Sequence, residues 1–103
     1  MDPSMSSSPS YNHNIAYAGH TFHVQTEVSG GTPGAVVTHI FLAGDIIATS
    51  RAPLQLDGQA LEHDTLVARM QKQHQDAMRM LIGGAHNATL QARGVPLALG
   101  SQG

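Results

Sequence analysis

The chain has 103 residues, five Lys+Arg against seven Asp+Glu for a formal charge of −2, and four aromatics with no tryptophan. That leaves room for one domain with a thin aliphatic core and no basic footprint for nucleic acid. Cysteine is absent, which excludes disulfides, thiolate nucleophiles and thiolate metal sites. No apolar run reaches the roughly 18 residues of a membrane span, and Met1-Asp2-Pro3-Ser4 lacks a basic or apolar leader, so a soluble, cytoplasmic protein without a membrane partner is expected.

Residues 1–12 contain five serines and two prolines and have almost nothing to bury, so they read as a disordered arm. From Ile15 to Val28 the residues Tyr17, Phe22, Val24 and Val28 predict one long first strand, with Gly19 as a bulge or bend. Ser29-Gly30-Gly31-Thr32-Pro33-Gly34 is the strongest turn signal in the chain. Ala35 to Ala43 follows as a second strand, apolar on both faces as a central strand would be. Gly44-Asp45 suits a type II′ hairpin turn, Ile46 to Arg51 returns as a third strand, and Pro53 ends it.

Beyond a connector, Gln59 to Ile82 runs 24 residues without Gly or Pro, about 36 Å of helix at 1.5 Å per residue. Asp57 stands where an N-cap could be, Glu62 lies near the first turn, and Gly83-Gly84 supply the stop. Leu66, Met70, Ala77 and Leu81, flanked by Leu61, Val67, Met78 and Ile82, form an apolar stripe. The tail from Ala85 to Gly103 reads as mostly irregular, with Val95, Leu97 and Leu99 able to pack as a short extended piece.

The expected architecture is α+β: a three-stranded antiparallel meander with one long helix packed on a face, spanning residues 13–84 between the arm (1–12) and the tail (85–103). One helix covers one face of a sheet, yet the second strand is apolar on both. Self-association, a homodimer first, would cover the remainder, with Phe41, Met70 and Leu81 as interface residues; the alternative is that the tail folds over the open face.

Seven histidines against twelve charged residues are the compositional oddity. His20 and His23 point to opposite faces of a strand and do not make a site together. Should His23 lie opposite His39, their Cβ atoms would stand about 5 Å apart, and with Glu27 or Glu62 they could hold a transition metal. No H-x-x-x-H or H-E-x-x-H spacing supports this. His63 and His74, eleven residues apart, share a helix azimuth and could face the sheet. The chain could instead respond to pH, since protonating all seven moves its formal charge from −2 to +5.

No catalytic residue can be named. Glu62-His63-Asp64 splays around a helix, Ser29 and Ser50 lack a nucleophile elbow, and Gly30 to Gly34 lacks the Lys-Ser/Thr ending of a phosphate loop. The expected function is therefore a non-enzymatic, self-associating interaction or assembly module, open to a protein partner. The alternative is a histidine-based metal- or small-ligand-binding protein using His23 and His39.

Overall fold

Four antiparallel strands follow one another in the computed structural model, which describes residues 10–29, 34–56, 59–60 and 62–98. β1 (Ser10–Tyr17), β2 (His20–Ser29), β3 (Ala35–Leu42) and β4 (Asp45–Pro53) pair in sequence order as a meander. The expected three strands are thus four, because the long first strand is a hairpin. Ala18 and Gly19 both take positive φ, 54° and 87°, as the two central residues of a type I′ turn do. Alternation continues through the reversal, so Ile15 pairs with Phe22 and His13 with Val24. On the sequence alone, those two arms read as one strand.

Ser10 to Asn12, expected within the disordered arm, belong to β1 and pair with Glu27 to Gln25. Main-chain pairing to β2 compensates there for the little that these side chains bury. Residues 1–9 of that arm lie outside the described residues. The second hairpin turn is Ala43-Gly44, with φ of 53° and 88°, so it is type I′ rather than II′ and β4 starts at Asp45. A register shift between Ile40 and Phe41 leaves Ile47 as the extra residue of a bulge, buried in the core.

The helix α1 (His63–Ile82) begins later than Gln59 because Gln55–Leu56 and Gln59–Ala60 pair first as short strands β5 and β6. Asp57, the expected cap, lies outside the described residues; Glu62 is the N-cap and makes no side-chain capping bond. Gly83-Gly84 stop the helix as expected. Gly84 takes φ of +91°, Gly84 N–H donates to Leu81 O and Ala85 N–H to Met80 O, the two bonds of a Schellman closure.

The tail is less irregular than expected, for Asn87–Ala92 form a short helix α2. Tyr17 donates its hydroxyl to Asn87 Oδ1 at 2.8 Å, and Ala98 N–H donates to Ala18 O at 2.9 Å. Leu90 is fully buried, with Val95 and Leu97 packed beside it; Leu99 lies outside the described residues. The described part of the tail, residues 85–98, therefore closes the end of the core on the α1 side.

Period-2 alternation places Phe22 and Val24 of β2 with Ile40 of β3 against Ala77 and Leu81 of α1. The helix packs on β1, β2 and β3. On the opposite face, apolar and polar side chains stand beside one another. Phe41 sits between the rings of His23 and His39, at centroid distances of 6.0 and 5.6 Å. Val37, between Glu27 and Arg51 in register, is only 5% exposed. No helix among the described residues is long and apolar enough to cross a membrane.

Candidate functional site

Thr26 and Thr38 occupy inward positions in strands otherwise lined by Val, Phe and Ile, and they stand directly opposite each other. Each carries a hydroxyl into the apolar layer, where it must find a partner. Their oxygens lie 2.6 Å apart. His74 falls on the stripe between Met70 and Ala77, so α1 also delivers an imidazole to that layer; it is 3% exposed. Its Nδ1 lies 2.8 Å from Thr26 Oγ1 and its Nε2 lies 2.8 Å from Nδ1 of His13 on β1.

At the other end, Gln73 Nε2 donates to Thr38 Oγ1 at 3.0 Å, to Val36 O at 3.2 Å and to Ser50 O at 3.4 Å. These contacts set the polarity of the chain of bonds. An amide oxygen in place of Nε2 would face two carbonyl oxygens, so the nitrogen end belongs there. Thr38 then accepts from Gln73 and donates to Thr26, Thr26 donates to His74 Nδ1, and the His74 Nε2–H donates to His13 Nδ1. Every hydroxyl hydrogen has an acceptor in this direction. In the reverse direction Thr38 would accept twice and its own hydrogen would have none among these groups.

His74 is accordingly neutral in this arrangement. Burial is the chief cause that pushes the His74 pKa below its ordinary value, and the neighbouring His13 and then His23 add to it. Tyr11, with its ring centroid 5.9 Å from that of His74, completes a pocket of about 360 Å³ with Gln71, Gln75 and Met78. Among the described residues no Asp, Glu, Lys or Arg lines it.

On the far side of α1 lies a larger groove of about 640 Å³, between the helix and β4, an edge strand of the described sheet. Ser50 and Ala52 form its sheet wall, and Ala68, Gln73, Ala77 and Met80 are among its helix wall. Lys72, Asp76 and Arg79 form an ionic run along the helix here, and the hydrogen bond from Lys72 holds the Asp76 carboxyl below its usual range. Gln73 and Ser50 line this groove, so the chain of bonds runs from one pocket to the other beneath the helix.

The pairing expected of His23 with His39 is corrected by the register: His23 opposes Phe41, and His39 opposes Gln25. They share a face on either side of Phe41. His23 lies 3.0 Å through each ring nitrogen from the side-chain oxygens of Asn14 and Asn12, and His39 Nδ1 lies 2.9 Å from Thr49 Oγ1. Among the described residues no group of three or more His, Asp or Glu is placed to hold a metal ion. Of the helix pair, His74 is enclosed and His63 is exposed, because the first helical residue lies beyond the sheet-facing stretch.

Met70 and Leu81, expected at an interface, are fully enclosed by the core of the single chain. Phe41 is half-buried. His13, Thr26, Thr38 and Gln73 were missing from the sequence reading. The two threonines break an apolar period-2 pattern at inward positions, a signal present in the sequence. His13 gave no such signal, because it stands between the arm and the first expected strand at Ile15. No protein-family model matches the chain, and no curated protein or solved structure shows significant similarity to it.

Proposed function

We propose that the chain is a non-enzymatic assembly module that self-associates along β4, a second copy occupying the groove between β4 and α1. The observation that carries this reading is the groove itself, where small side chains line an edge of the described sheet and Met80 stands 51% exposed. An edge strand presents unpaired main-chain donors and acceptors, and two copies of one edge are self-complementary about a two-fold axis. The described ends, Ser10 on β1 and Ala98 against Ala18, both lie on the β1 side of the sheet, so the docked tail does not serve β4.

The bulge at Ile47 and the terminal Pro53 confine pairing to Ala48 to Ala52. That short ladder needs the helix wall as well to reach the ~800 Å² per partner typical of a stable interface. Small side chains at Ala48, Ser50 and Ala52 leave space for the partner's helix surface.

The test is sedimentation velocity on the full chain, with Ala68→Glu on the helix wall and Ala52→Arg on the sheet wall. A wild-type dimer that both substitutions convert to a folded monomer supports the reading. A wild-type monomer at high micromolar concentration, or a dimer indifferent to both changes, overturns it.

A further inference from the structure

We propose that the His13–His74 pair is a proton-responsive control site for self-association, coupled to the β4–α1 groove through Thr26, Thr38 and Gln73. The inference rests on the assembly reading for its consequence, while its mechanism stands on the geometry of the bonded chain.

A proton can enter at two places. On His74 it must occupy Nδ1, because Nε2 already donates to His13. Thr26 then has to accept from His74 and donate to Thr38. On His13 the proton must occupy Nδ1, facing the His74 Nε2–H; His74 has to move its hydrogen to Nδ1, and Thr26 is driven the same way. Either entry leaves Thr38 accepting from both Thr26 and Gln73, with its own hydrogen unmatched.

The nearest relief is for Gln73 to turn its amide oxygen toward Thr38. That turn removes the amide nitrogen from Ser50 O on β4 and from Val36 O on the neighbouring β3, the contacts that tie this turn of α1 to the sheet beside the groove. Gln73 and Ser50 are walls of the groove, so proton uptake on the β1 side alters the docking surface on the β4 side. The switch therefore couples two sites through a bonded element with two arrangements, and the coupling must act in both directions.

Among the described residues, no Asp or Glu lines the pocket around the pair. His13 and Tyr11 face His74 from β1, His23 acts through the sheet from β2, and β3 presents the neutral Thr38. From α1 the pocket receives Gln71, Gln75 and Met78. Acidification through the histidine range therefore weakens the dimer. A half-unit difference in histidine pKa between dimer and monomer, counted once in each of the two subunits, gives up to about a tenfold change in Kd.

The experiment combines sedimentation velocity at about pH 7.5 and about pH 5.5 with NMR of the Gln73 side-chain amide across the same range. It uses the wild type, Thr38→Val and Gln73→Leu. Thr38→Val interrupts the bonded chain and leaves every histidine in place. Gln73→Leu cuts it at a half-buried helix position, so the test does not rest on one variant folding.

The expected result is a wild-type dimer about tenfold weaker at the lower pH, a Gln73 amide that titrates with His13 and His74, and loss of the pH dependence of association in both variants. The Thr38→Val protein should also show no Gln73 titration. A dimer with the same Kd at both pH values overturns the switch and leaves the assembly reading intact, as does pH dependence that survives both substitutions. If the wild type is a monomer, the assembly reading fails and control of association fails with it; the Gln73 amide then decides the coupling alone, and an amide that ignores pH overturns that too.

Discussion

The hydroxyl oxygens of Thr26 and Thr38 lie 2.6 Å apart at directly opposed positions of β2 and β3, with neither residue more than 1% exposed. Their contact joins an imidazole on one side to a glutamine amide on the other, so the four side chains form one unit with a single favoured direction. Thr26→Val should leave both the Thr38 hydrogen and His74 Nδ1 without partners and cost about 1–3 kcal/mol in urea unfolding. The triple change Thr26→Val, Thr38→Val, His74→Leu removes donors and acceptors together and should cost clearly less than the sum of the single changes. Simple additivity would count against a connected chain of bonds.

The His74 titration gives stability a predictable slope with pH. Burial, then His13 and His23, place its folded pKa below the ordinary value of 6.5. Between the folded and unfolded values the unfolded chain binds more protons, so stability rises with pH there. The contribution is fully present above about pH 6.5 and is lost as pH falls through the folded pKa. Urea midpoints measured between neutral and acid pH should fall on acidification in the wild type and fall less in His74→Gln. Equal slopes in the two proteins would contradict this assignment.

Leu81 and Ile82 are neighbours on α1 with opposite environments. Leu81 is fully enclosed in the core, whereas Ile82 is 54% exposed. Leu81→Ala should cost about 2–5 kcal/mol through lost burial and the cavity left behind. Ile82→Ala should stay within about 0.5 kcal/mol. Thermal or urea unfolding of the two variants checks the orientation of the last helical turn directly.

Ala43 holds φ of +53° at the first central position of the β3–β4 turn, a conformation that L-alanine adopts at a cost and asparagine tolerates. The neighbouring Gly44 has open space around it. Ala43→Asn should stabilise the protein by about 0.5–1 kcal/mol, seen as a Tm raised by several degrees. An unchanged or lowered Tm would argue against a type I′ turn at this place.

Much of the chain was legible as local pattern. The central strand from Ala35, the helix ending at Gly83-Gly84 and the stripe through Met70, Ala77 and Leu81 each follow from residue type at a fixed spacing. The number of strands was not legible, because Ala18-Gly19 is a weak turn signal inside a pattern whose alternation survives reversal. The position of the second turn depended on which side of Gly44 the chain bends, and the helix start on the pairing of Gln55–Leu56 with Gln59–Ala60.

By itself, the sequence determined the types of the central strands and of α1 and the inward parity of Thr26 and Thr38, since these depend on side chains a few residues apart. Only the tertiary structure decided which histidine matters. His23 and His39 were conspicuous, but the register put Phe41 between them, while His13 was carried by β1 to His74 across 61 positions of chain. Contacts at that separation depend on strand register and helix placement, which no local spacing encodes. The same placement set α1 over β1 to β3, and so made the β4 side a groove while enclosing Met70 and Leu81.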